Sequence, residues 1–261
     1  MRPEPEVVVE VSAEALAANT AGRVLATLGA ALRVRPVAHL VVTGGGILEA
    51  VLAELAKPVE RDSIEWRRVH VWWGDERFVP AGSDDRNDKP AFAKLFDHVD
   101  VDPAKVHRMP PSDDAFADAE AAAEAYAAEL AAHVPPDAAE DSVPVFDVVL
   151  LGVGPDGHCA SLFPEHPAVY VEDAAVIAVH NSPKPPPTRL SMTFPTLDAA
   201  NEVWFVASGT PKAQAVAMAL SGAGRVQVPS AGPRGRHRTL WLVDRAAAEQ
   251  LPASVYRLPI S

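Results

Sequence analysis

Short apolar runs of five or six residues, most of them closed by glycine or a charged turn, recur along this chain and alternate with segments of helical spacing. The runs are Val7–Val11, Val37–Val42, Val69–Trp73, Phe146–Leu151, Ala175–Val179, Val203–Ala207 and Thr239–Val243. Most are apolar at successive positions and rich in β-branched side chains, as in strands buried on both faces. Between them, Ser12 is placed to cap a helix carrying Leu16, Val24, Leu25 and Leu28. Further helices are predicted over Ile47–Leu55, through Phe92 and Leu95, from Ser112-Asp-Asp114 to His133, over Pro211–Leu220 and over Ala246–Leu251. Pro135–Pro144 reads as a surface connector. This alternation predicts a single α/β domain over residues 1–261, a mainly parallel, doubly wound (Rossmann-like) sheet with helices on both faces.

In such a sheet, ligands sit at the carboxyl ends of the strands. The run Phe146–Leu151 stops there in Gly152-Val-Gly154-Pro-Asp156-Gly157-His158. An aspartate two residues from an imidazole can fix its tautomer and raise its basicity, so His158 reads as a general base. Thr43-Gly44-Gly45-Gly46 joins a strand directly to a helix, a geometry that aims backbone N–H groups at an anion. Asp75-Glu76-Arg77 alone reads as a solvated charged turn, but its place after Trp73 puts it on the same sheet edge. Arg77, Lys184, Arg189 and Lys212 are the cations able to converge there. Lys212 opens a helix, an unfavourable place for a cation unless an anion holds it.

Other chemistries fit less well. Gly152-x-Gly154-x-x-Gly157 with Asp173 downstream matches the dinucleotide fingerprint, but that pattern opens a continuous helix, and Pro164 and Pro167 interrupt the chain here. His158, Cys159 and His166 do not have the spacing of a compact zinc set, so no metal and no cofactor are expected. A Gly-x-Ser-x-Gly elbow is absent. Cys159 reads as a small buried filler and Ser161 as the start of a short helix. The net charge of −12 argues against nucleic acid and anionic membranes as partners and requires that an anionic substrate meet local cations. A lone cysteine, no apolar run near 18 residues and no signal pattern lead to the expectation of a soluble, cytoplasmic chain.

Four blocks, taken together, resemble the 6-phosphogluconolactonase family. They are Trp73-Gly-Asp-Glu-Arg-Phe-Val-Pro80, Gly152-Val-Gly-Pro-Asp-Gly-His-Cys-Ala-Ser-Leu-Phe-Pro164, Ser182-Pro-Lys-Pro-Pro-Pro-Thr-Arg189 and Gly209-Thr-Pro-Lys-Ala213, in the family's order. The resemblance implies hydrolysis of 6-phospho-D-glucono-1,5-lactone, the second step of the oxidative pentose phosphate pathway. It implies His158 as base with Asp156 beside it, Asp75 and Arg77 lining the pocket, and a phosphate site made by residues 43–46 and Gly157 with Lys184, Arg189 and Lys212. A monomer functionally linked to glucose-6-phosphate dehydrogenase is expected.

The glycine turn departs from the family's usual Ser-Gly-Gly-Ser-Thr or -Pro: Gly46 carries no hydroxyl. The related glucosamine-6-phosphate isomerases and deaminases share the Asp-Gly-His loop but should need a second acid nearby, for which Glu165 is the one candidate. A sugar-phosphate sensor would carry a DNA-binding segment, for which a sheet starting at residue 7 leaves no room. Whether Asp156 or Asp75 orients the imidazole, and whether Arg77 or N–H groups of residues 152–157 face the reacting carbonyl, stays open.

Overall fold

The computed structural model describes residues 2–135 and 143–252, so most of the expected connector lies outside the described residues. The strands are β1 (Glu6–Glu10), β2 (Ala38–Val42), β3 (Val69–Trp73), β4 (Asp75–Arg77), β5 (Val106–His107), β6 (Val148–Gly152), β7 (Val176–Val179), β8 (Arg189–Met192), β9 (Glu202–Ala207) and β10 (Arg238–Asp244). The helices are α1 (Ala13–Val34), α2 (Gly46–Leu55), α3 (Pro58–Arg61), α4 (Asp88–Ala91), α5 (Ala119–Ala132), α6 (Phe194–Leu197) and α7 (Ala213–Leu220).

Seven strands form one sheet in the order β1-β10-β9-β6-β2-β3-β5, with every neighbouring pair parallel. From β2 the chain builds outward through β3 and β5, then returns to place β6 on the other side of β2 and builds outward again. The order therefore reverses between β2 and β6, and a crevice opens at their carboxyl ends. The central strands are buried at every position except Gly152 at the end of β6, which explains their continuous apolar runs.

Helices cover both faces. Trp73 points toward Phe92 and Phe96, with ring centroids 6.2 and 5.8 Å away, on the side of α2. Its neighbour Trp72 points the other way, 6.1 Å from Tyr126 of α5. At 22 residues α1 is long and apolar enough to cross a membrane on length and composition alone. It is nonetheless amphipathic: Leu16, Val24 and Leu28 are buried, with the helix packed on α2, β2 and β10, while Glu14, Asn19 and Arg33 stay exposed.

The structure corrects several expectations. β7 belongs to a second, antiparallel sheet in the order β4-β8-β7. Asp75 and Glu76 are buried residues of β4, at 5% and 1% exposure, and form no solvated turn. The long helix begins at Ala119 under an Asp118 cap that accepts from Ala121 N, because Asp113 instead accepts from Ala81 N. Ala246–Leu251 is a series of turns, and Ser161 starts no helix.

Low on the sheet, register pairs His39 with His70 and Trp72 with His107. The rings stack at 4.7 Å for His39 and His70 and 3.7 Å for Trp72 and His107. Burial, reinforced by the neighbouring imidazoles, pushes His39 down to about 3 and His70 to about 4.

Candidate active site

A cavity of about 550 Å³ occupies the crevice at the carboxyl ends of β2 and β6. Two glycine loops meet at its base. A Cβ on Gly152 would stand 3.4 Å from Gly44 O, and one on Gly44 would overlap the Asn87 side chain. Gly45 caps α2 with φ of 126°, a conformation that favours glycine, so the N–H groups opening α2 border the cavity.

His158 stands on a tight turn closed by Gly154 N donating to His158 O (2.8 Å) and Gly157 N to Gly154 O (2.9 Å). The ring lies directly over Gly154, where any Cβ would come within 1.9 Å of Nδ1. Asp156 Oδ1 is 2.5 Å from His158 Nδ1, and Lys184 Nζ reaches the same oxygen at 3.2 Å. Burial pushes the Asp156 carboxyl up, but the His158 hydrogen bond and the charges of His158 and Lys184 outweigh it and hold it well below the usual carboxylate range. With Nδ1 donating to the carboxylate, Nε2 carries the free lone pair. The side chain is 18% exposed, its ring lines the cavity, and Phe163 supports it at 4.7 Å.

Asp75 has a different task. Its carboxylate accepts from Ser161 Oγ at 2.7 Å and from Asn87 Nδ2 at 3.4 Å, so it ties β4 to the His158 loop and to residue 87. The aspartate that touches the imidazole is Asp156. Beneath Asp75, Glu76 accepts from the N–H groups of Arg77, Asn87 and Asp88. Burial raises Glu76 to about 7, against the pull of Arg86 and those N–H groups.

The cations fall into two groups. Arg189 lies in the field of Asp75 and Arg77, and Lys212 in that of Lys184 and Asp156. Burial lowers both Arg189 and Lys212 from their ordinary values. Arg189 donates through Nε and Nη2 to the carbonyls of Pro186, Lys184 and Pro185, which fixes the loop carrying Lys184, and it stacks over Phe163 at 5.5 Å. Arg77 Nη1 donates to Asp85 O at 2.6 Å, while its Nε is buried without a partner among the described residues.

The cavity thus gathers Thr43, Gly44, Gly45, Gly46, Asp75, Arg77, His158, Lys184, Arg189 and Lys212 from five separate segments. Thr43 contributes no free hydroxyl, since its Oγ1 donates to Leu150 O at 3.1 Å. Gly157 does not line the cavity; with φ of 85° and Val228 pressed against it, it shapes the turn. Asn87 and Ser208, which do line it, carried no sequence signal. No helix opens at Gly157, which removes the dinucleotide reading. Cys159 is buried, and burial pushes its thiol up, out of the reactive range. Glu165 is exposed and outside the cavity, so the second acid of an isomerase is missing from this position.

The profile of the glucosamine-6-phosphate isomerases/6-phosphogluconolactonase family matches residues 11–241. The chain belongs to this family. Within it, the chain is 53% identical over 258 residues to the 6-phosphogluconolactonase of Streptomyces coelicolor, covering 98% of each chain. It is 48% identical over 239 residues to that of Mycobacterium tuberculosis, covering 91% of this chain and 95% of the relative. The solved 6-phosphogluconolactonase of Trypanosoma brucei superposes with a TM-score of 0.80 at 28% identity, over 95% of this chain and 99% of that one. The family's α/β fold, with its mostly parallel sheet, is the one described above.

Proposed function

We propose that this chain hydrolyses 6-phospho-D-glucono-1,5-lactone to 6-phosphogluconate, with His158 as general base and Asp156 as the group that orients it. The observation that carries the residue assignment is the 2.5 Å contact between His158 Nδ1 and Asp156 Oδ1, which leaves Nε2 open on a cation-lined cavity. The kinship with lactonases at 48–53% identity supports the reaction.

A δ-lactone is an activated ester, and its hydrolysis needs two proton transfers. Nε2 takes a proton from water as the water attacks C1, and the imidazolium returns that proton to the departing ring oxygen O5. Asp156 keeps the proton of the neutral ring on Nδ1 and stabilises the imidazolium. No metal takes part in these steps. The N–H groups of Gly154 and Gly157 are consumed within the turn, and we assign the donor to the developing oxyanion to Arg77, which lines the cavity. The 44–46 turn, Arg189 and Lys212 hold the distant 6-phosphate, with Lys184 between them and the base. Each such charged contact is worth about 1.5–3 kcal/mol.

The substrate is the product of glucose-6-phosphate dehydrogenase, so the two enzymes act in sequence in the pentose phosphate pathway. We place this chain in the cytoplasm as a monomer. The test is lactone hydrolysis, corrected for the spontaneous rate, on the 6-phosphorylated and the unphosphorylated lactone, with and without chelator. Strong preference for the phosphorylated lactone and indifference to chelator are expected. Ammonia release from glucosamine 6-phosphate in place of lactone hydrolysis would contradict the assignment.

A further inference from the structure

The chemistry above makes no use of the histidine cluster low on the sheet. His70 comes from β3, His107 from β5 and His133 from the residue capping the end of α5, and one nitrogen of each lies within 4.8 Å of the others. Glu129, one turn before His133, supports two of these rings. Its Oε1 lies 2.5 Å from His107 Nδ1, and its backbone carbonyl lies 2.9 Å from His133 Nδ1. These acceptors put the proton of each ring on Nδ1 and make each Nε2 the lone-pair nitrogen, that of His107 accepting from His70 Nδ1 until an ion takes its place. His70 Nδ1 lies 2.8 Å from His107 Nε2.

A carboxylate or carbonyl behind each ligating imidazole is the arrangement that fixes tautomer and orientation in metal centres. Packed aromatic rings require no such backing. We propose that His70, His107 and His133 form a site for one divalent transition-metal ion of the zinc type, with Glu129 as the positioning residue behind two of the three ligands. Three imidazoles suit zinc, nickel or copper rather than calcium or magnesium.

Metal–nitrogen bonds of about 2.0–2.1 Å in a tetrahedral set place ligand nitrogens about 3.4 Å apart. The present separations, from 2.8 Å to within 4.8 Å, bracket that value, so small ring rotations suffice. On ligation His70 moves its Nδ1 proton to Nε2. Half-exposed His133 and the Glu129 side chain, 42% exposed, give an ion access and leave room for a water as fourth ligand. Lys105 and Asp102, paired at 2.7 Å, act on His70 with opposite signs. The ion would join β3, the two-residue edge strand β5 and the end of α5, away from the active-site crevice, so its role is structural.

The test uses the full-length chain, stripped of metal by chelator, then titrated with Zn2+ by calorimetry and with Co2+ by visible absorption. One equivalent should bind, with the intense visible bands of four-coordinate cobalt. Binding should persist in His158→Ala, disappear in His133→Ala and weaken about 10–100-fold in Glu129→Gln. Circular dichroism reports whether each variant folds; if His133→Ala does not, Glu129→Gln decides. Failure of the chain to take up one equivalent, uptake surviving in folded His133→Ala, uptake lost in His158→Ala, or unchanged affinity in Glu129→Gln would each overturn the proposal.

Discussion

Two groups of histidines occupy opposite ends of this sheet, and their surroundings give them opposite properties. At the carboxyl end His158 stands alone on a glycine turn, with one nitrogen held by Asp156 and the other open to the cavity. Toward the amino end His39 and His70 lie stacked and buried, and burial keeps them uncharged. The residue type is the same; what differs is the number of faces left to solvent and the partner on the far nitrogen. A histidine poised for proton transfer is recognised by one fixed and one free nitrogen.

Substitutions at the two ends should therefore separate activity from stability. His158→Gln is expected to lower kcat by about 10²–10⁴-fold with Tm nearly unchanged. His39→Gln should instead cost stability, about 1–3 kcal/mol for the buried Trp72 Nε1 donor left unpaired and the lost stacking, seen as a lower Tm in thermal denaturation. Loss of activity without loss of Tm in His39→Gln would break the comparison.

Asp156→Asn sharpens it, because it keeps the shape and removes the acceptor that fixes the tautomer. A fall in kcat of about 10–10³-fold with little change in KM is expected from steady-state kinetics. Lys212→Ala should raise KM for the phosphorylated lactone about 10–100-fold and leave the unphosphorylated lactone nearly unaffected. Arg189→Ala is a less clean test, since its guanidinium also fixes the loop that presents Lys184.

The two carboxylates of the active end should act oppositely on stability as pH changes. Glu76, raised to about 7 from an ordinary 4.5, keeps a proton in the folded state that the unfolded chain has lost between those values, so its contribution falls as pH rises through that window. Asp156, depressed, contributes above the ordinary carboxylate range and loses that contribution as pH falls toward its folded value. Denaturant melts from pH 2 to 8 of Glu76→Gln and Asp156→Asn should show the two slopes removed separately, that of Asp156 at the acid end and that of Glu76 between 4.5 and about 7. The smallest effect belongs to Gly46→Ser. A Cβ at Gly46 meets nothing within 4 Å, so the change should fit, shift stability by less than about 1 kcal/mol and at most modestly lower KM.

The central strands and glycine loops were legible in the sequence because burial on both faces leaves a continuous apolar run, and because a strand ending in glycines has few other uses. The second sheet was not. Its strand β4 contains Asp75 and Glu76, which alone read as a solvated turn, and they are buried only because distant partners satisfy them: Ser161, Asn87 and Arg86. The start of α5 was misjudged for a related reason. Ser112-Asp-Asp114 has capping residues, but Asp113 is engaged by Ala81 N across the surface, and Asp118 takes the cap. His158 and Asp156 were visible as neighbours in sequence. Asn87 was not, since it reaches the cavity through contacts 12 residues back in β4.

The most direct test of the account is nitrogen-15 NMR of the imidazole of residue 158 in its neutral form. The proton is expected on Nδ1, in a strong hydrogen bond that is lost in Asp156→Asn, with an unprotonated Nε2 whose signal responds to 6-phosphogluconate. A neutral ring carrying its proton on Nε2 would contradict it.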